Sequence, residues 1–175
     1  MKILNFPAIA LAAVAILTAA TGNRQVTQNA KSPSAETSAT ISGAHVIIEY
    51  NAPSARGRTV EGELIPYASI YRMGADAATT ITTDKDIAIG DLKVPAGVHT
   101  LYLQAAGGGA PWQLVVNNQT KQWGTVYNKD QDLGRTNMKV TKLSAPVETF
   151  KITLTSKDLS VEWGNSKATV AIKGE

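Results

Sequence analysis

The sequence predicts an all-β protein: a single domain built as an antiparallel β-sandwich, jelly-roll or Ig-like, behind an amino-terminal signal helix. Three observations predict it. Apolar residues alternate with polar ones at the period of two that a half-buried strand requires, as in Val46, Ile48 and Tyr50, in Phe150, Ile152 and Leu154, and in Leu159, Val161 and Trp163. The runs between are short and bounded by turn chemistry such as Gly90-Asp91, Pro95-Ala96-Gly97, Gly107-Gly108-Gly109 and Gly164-Asn165. Beyond the amino terminus no segment carries a helical apolar stripe, and the spacing fits roughly seven to ten strands.

In chain order, Lys2 supplies a positive start, Ile3 to Leu17 is apolar, and Thr18-Ala19-Ala20 offers small residues for signal peptidase. Residues 1–20 therefore read as a cleaved signal peptide. The apolar run is shorter than the ~20 residues of a membrane-spanning helix, so no membrane span is expected in the mature chain. The expected location is outside the cytoplasm, periplasmic or extracellular. No cysteine is present, so the exported domain must rest on its core without disulfides. Residues 21–40, rich in Ser, Thr, Ala, Asn and Gln, read as a disordered tether. Residues 41–175 are then the sandwich domain, with further strands at Ala78–Thr83, Asp86–Ile89, Gly97–Ala105, Trp112–Asn117 and Asn137–Lys142. Leu159–Trp163 and Lys167–Ile172 are expected to form a hairpin across Gly164-Asn165.

The formal charge of +3 falls to +2 once Lys2 is removed with the signal, since residues 1–20 hold no acid. That is too weak a field to argue for nucleic acid.

The richest segment for function is Tyr50 to Ile81, which packs Arg56, Arg58 and Arg72 among tyrosines and turn residues. Guanidinium forks bind carboxylates and phosphates, and tyrosine faces hold apolar patches of sugars. Arg56, Arg58, Tyr67, Arg72, Asp76 and Trp123 are the candidate ligand-binding residues. The competing reading has Arg56 and Arg58 paired with Glu49, Glu61 or Glu63, Arg72 paired with Asp76, and Tyr67 and Tyr71 capping the sandwich edge. Trp112 and Trp163 continue strand patterns and read as core, whereas Trp123 lies between polar neighbours and suits either a lid or a binding platform.

The ordered series YNAPSARGR at Tyr50–Arg58, LIPYASIYRMGADAATTI at Leu64–Ile81, PAGVHTLYL at Pro95–Leu103, PWQLVVN at Pro111–Asn117, QWG at Gln122–Gly124 and VEWGNSKATVAI at Val161–Ile172 resembles the DUF2911 family of exported bacterial proteins. The resemblance implies a β-sandwich-like domain of unknown function. This chain departs from the family pattern at Tyr71, where Trp is usual, at His99, where Tyr is usual, and at Asp76-Ala77, where Asn-Glu is usual. Any chemistry resting on that glutamate is missing from this copy.

Enzyme signatures are weak. There is no Gly-x-Ser-x-Gly elbow or Ser-x-x-Lys pair, and the histidines are His45 and His99 alone. Two separated histidines without cysteine do not make a zinc site. Asn128, Asp130 and Asp132 mimic a calcium loop, but Leu133 stands where the turn glycine belongs and Lys139 where the closing glutamate belongs. No catalytic residue, metal or cofactor is therefore assigned. The expected function is a non-catalytic module holding a small polar ligand or glycan. The alternative is a structural domain docking an envelope protein, and a hydrolase using Asp76 or Glu61 with His99 ranks last.

Overall fold

The computed structural model describes residues 32–175; the expected signal peptide and the first part of the expected tether lie outside the described residues. The described residues form ten strands: β1 (Ser34–Ile41), β2 (Ala44–Asn51), β3 (Ile70–Tyr71), β4 (Thr80–Thr83), β5 (Ile87–Ile89), β6 (Leu92–Val94), β7 (Gly97–Gln104), β8 (Trp112–Asn117), β9 (Asp132–Leu154) and β10 (Asp158–Gly174). A single 3-10 turn, Lys129–Gln131, precedes β9. Every ladder is antiparallel, as expected. The strands form one sheet in the order β1-β2-β4-β7-β8-β9-β10-β5-β6, with β3 beside β7. The layers expected as separate sheets are thus halves of one sheet, joined by the long strands β9 and β10.

Ordered structure starts earlier than the sequence suggests. All of β1 but Ile41 falls within the expected tether, yet the strand pairs along its whole length with β2, from Ser34 opposite Asn51 to Ile41 opposite Ala44. Its side chains bury little, so its strand character comes from the ladder and not from an apolar face. The expected carboxy-terminal hairpin is also absent. β10 runs straight through Gly164-Asn165 and pairs with β9 on both sides of Gly164, whose φ of +57° sits between two register shifts. A glycine in that conformation serves a bulge as readily as a turn. Pro146, which has no N–H for a ladder, lies in β9 in the same irregular stretch. Where a hairpin does form, between β5 and β6, Gly90 holds φ +60° at the first central position, as a type II′ turn demands.

Both halves face one core. Ile48, Ile81, Leu101, Leu103, Leu114 and Val116 meet Phe150, Ile152, Leu159, Val161, Trp163 and Ile172 there, all buried. Phe150 sits edge-on to Tyr50 (5.9 Å), Tyr71 (6.2 Å) and Trp163 (5.7 Å), close enough for these rings to act as a cluster. Trp112 and Trp163 are core residues, as expected, and each donates its indole N–H to a carbonyl, of Ala106 and Glu148 respectively.

The sheet does not close. The free edge of β9 is satisfied partly by backbone, with Ala55 N donating to Glu148 O and Phe150 N to Pro53 O. Beyond that point two side chains take over: Ile152 N donates to the Tyr50 hydroxyl and Leu154 N to Thr37 Oγ1, both at 3.1 Å. Buried N–H groups must find acceptors, and a hydroxyl serves where no strand reaches.

Candidate functional site

The segment after β2 builds the site. Arg56 (φ +53°) and Gly57 (φ +75°) form the centre of a turn closed by Arg58 N donating to Ala55 O at 3.1 Å. The Arg58 guanidinium folds back on this turn, with Nε donating to Ala55 O and Nη2 to Ser54 O. It therefore pins the loop through carbonyls, not through the carboxylates expected of it. Arg56 is exposed, and its backbone N–H donates to Glu148 Oε1 at 2.7 Å. A compact coil follows in which Val60 and Ile65 are buried and Glu61 and Glu63 bind backbone: Glu61 accepts from Asn165 N, and Glu63 from Thr59 N.

Tyr67 comes next, at a parallel bridge with Ala105. Its ring is 47% exposed and rests against Gly62 and Gly107; a Cβ on Gly62 would stand 3.0 Å from its Cε2, and one on Gly107 3.5 Å from the same atom. A side chain at Gly62 would crowd the ring, whereas one at Gly107 would meet it at ordinary contact distance. Ala68 holds φ +59°, an uncommon conformation for a residue with a side chain. Two bonds fix it there, Ala68 N to Ala105 O and Gln104 Nε2 to Ala68 O.

Beside Tyr67 the outward positions of three neighbouring strands fall into register: Gln104 opposite Gln113, and Gln113 opposite Asn137. Arg135 orients the first of these amides by donating Nη1 to Gln104 Oε1 at 2.8 Å, while its Nη2 binds Asp132 and Tyr127. Among the described residues nothing engages the side-chain amides of Gln113 and Asn137. Tyr67, Gln104, Gln113 and Asn137 line an open depression of about 510 Å³, a size that suits small-molecule sites. A second depression of about 320 Å³ shares Tyr67 and adds Glu61, Lys142, Asn165 and Ser166. A third of about 400 Å³ shares Glu61 and Asn165 and reaches Arg58 and Glu148.

The six sequence candidates thus divide. Arg58 and Tyr67 line these depressions, and Arg56 stands beside the third without lining it. Arg72, Asp76 and Trp123 line none of the three and engage the main chain elsewhere. Arg72 Nε donates to Gly74 O, its aliphatic stem lies over Gly124, and Asp76 Oδ2 accepts from Ser32 N, so the Arg72–Asp76 pair of the competing reading is not formed. Trp123, 49% exposed, bridges to Ala77 in a loop held down by Gly124 N donating to Asp76 O. Tyr71, packed on Phe150 and Trp163, donates to Gly74 O, and burial pushes its phenol well above its ordinary value despite the opposing pull of Arg72. Gln104, Gln113, Asn137, Lys142 and Asn165 were not singled out by sequence; only their polarity at outward strand or turn positions could have marked them.

Other chemistries find little support. His99 is buried with Nδ1 against Asn118 Oδ1 (3.1 Å) and Nε2 against Pro95 O (2.9 Å), so both nitrogens have partners and neither reaches Asp76 or Glu61. Asp132 of the calcium-like loop gives its oxygens to Asn117, Tyr127 and Arg135. Among the described residues no group of three or more His, Cys, Asp or Glu could hold a metal, and no helix is long and apolar enough to cross a membrane.

Fold and surface together define an open antiparallel β-sheet protein with three solvent-facing depressions that share lining residues. A family model described as "Protein of unknown function (DUF2911)" matches residues 32–172, and the chain belongs to that family. No curated protein and no solved structure matches the chain.

Proposed function

We propose that the protein is a non-catalytic module, acting outside the cytoplasm, that holds a polar ligand of the carbohydrate kind against Tyr67. One observation carries this reading: an exposed tyrosine ring seated on two glycines, next to a row of amides of which two are unengaged. The ring offers a flat apolar face, and each amide offers a donor and an acceptor to hydroxyl groups. Arg58 stays in the reading as a rim residue of the third depression; Arg72, Asp76 and Trp123 serve as scaffold. The location rests on the signal-like amino terminus alone.

A thermal-shift screen of the protein against sugars and glycan fragments tests the reading. A ligand at a hundredfold excess over its Kd stabilises by about 2.7 kcal/mol, a rise in Tm of roughly 10 °C for a domain of this size. The shift is expected to vanish in Tyr67→Ala and to shrink in Gln113→Ala, while Arg72→Ala keeps it. A shift that survives Tyr67→Ala and disappears in Arg72→Ala sinks the assignment.

A docking role has one observation behind it. Ile47 (38% exposed) and Val98 (48%) lie on one outward row across β2, β4 and β7, with Thr82 between them. Two scattered apolar side chains are ordinary on a soluble surface, so this reading ranks second.

A further inference from the structure

We propose that the ligand is a linear glycan chain of three or more sugar units, lying along the three depressions in series; this rests on the carbohydrate reading and specifies the class of ligand. The depressions are one path. Tyr67 and Ala106 belong to the first and second, Glu61 and Asn165 to the second and third. A single sugar fills one of them and leaves the others empty, whereas a chain engages the amide row, the tyrosine ring and the Lys142–Asn165 region at once.

The rim leaves room for a chain to pass. Gly108 and Gly109, at the second depression, face open space, since a Cβ on either would meet nothing within 4 Å. The lining chemistry also selects a glycan over a peptide. Extended peptides gain most of their affinity from main-chain bonds at a free sheet edge. β7 and β8 are each paired on both sides, β7 by β8 and by β3 and β4, and β8 by β7 and β9, so the floor they give the first depression offers side chains and not a ladder. A ring and side-chain amides match hydroxyls and pyranose faces. Charge along the path is mixed, with Lys142 and Arg58 accompanied by Glu61 and Glu148, which disfavours a polyanion such as a nucleic-acid strand.

The test is calorimetric titration of the protein with length series, from one to six units, of β-1,4-linked N-acetylglucosamine and of β-1,4- and α-1,4-linked glucose, after a glycan array has shown which linkage is retained. For the retained linkage, affinity is expected to tighten at least about tenfold between one unit and three or more, then level off. Lys142→Ala with Asn165→Ala, both exposed side chains, should remove most of that gain with length, while Gln113→Ala weakens every length. Equal affinity for one unit and six overturns the chain proposal and leaves the carbohydrate reading standing. Absence of binding across the array overturns both, and retention of extended peptides in place of glycans replaces them with a peptide-binding role.

Discussion

Replacing Tyr50 with phenylalanine removes one oxygen from the molecule and leaves a buried N–H without its acceptor. Ile152 N donates to that oxygen at 3.1 Å, and both residues are almost wholly buried, so water cannot substitute. The ring itself stays in place: its edge contact with Phe150, at 5.9 Å between centroids, is available to phenylalanine as well. The change therefore isolates the hydrogen bond. An orphaned buried donor costs about 1–3 kcal/mol, and Tyr50→Phe should lose that much stability. Thr37→Val, which strips the acceptor of Leu154 N in a partly buried position, should lose less, about 0.5–1.5 kcal/mol. Urea denaturation of each variant measures the loss, and amide exchange locates it, since the Ile152 N–H should exchange faster in Tyr50→Phe. The two sites lie on one edge, so the double variant need not be additive. A Tyr50→Phe protein within about 0.5 kcal/mol of the parent, with Ile152 still protected, would refute the claim that hydroxyls finish this edge.

Gly62→Ala forces a side chain onto φ +87° and into the Tyr67 ring; it should cost roughly 1–2 kcal/mol in a urea melt and weaken ligand binding as the ring is displaced. Arg135→Ala should lower stability by about 1–2 kcal/mol, since Gln104, Asp132 and Tyr127 all lose a donor, and calorimetry should show weaker ligand binding once Gln104 is no longer oriented. The raised phenol of Tyr71 has a consequence for alkaline stability: the unfolded phenol ionises near pH 10 while the folded one keeps its proton, so its contribution is full below about pH 10 and is lost as pH rises towards the folded value. Melting temperatures from pH 9 to 11 should fall less steeply in Tyr71→Phe than in the parent, and parallel slopes would count against this.

The alternating runs around Ile48, Ile152 and Val161 were readable because one sheet face is buried and the other is not, which imprints a period of two on the sequence. β1 escaped because Ser34–Ile41 is an edge strand whose inward positions are filled by Ala35, Thr37 and Ala39, too small to signal burial. The Gly164-Asn165 hairpin was misjudged because a left-handed glycine serves turns and bulges alike. For the site, Tyr67 was visible as an aromatic among turn residues. The amide row was not, since Gln104, Gln113 and Asn137 are neighbours only through strand register, which no local pattern records. Carbonyls are equally silent in a sequence, so Arg58 was given carboxylate partners when the turn beneath it supplied the acceptors.

The strand order sets a sequence of events for folding. β5 and β6 precede β10 by some seventy residues, yet among the described residues their only ladder to the rest of the sheet is with β10, where Ile89 faces Ile172 and Ile87 faces Gly174. A two-stranded ribbon is marginal by itself in water. The hairpin gains a ladder partner only once β10 has been made; before that its tie is to β9, where Thr136 Oγ1 donates to Asp91 Oδ1. Removing Ile172, Lys173 and Gly174 should cost the protein more than three residues imply, because β5 and β6 lose their ladder with β10.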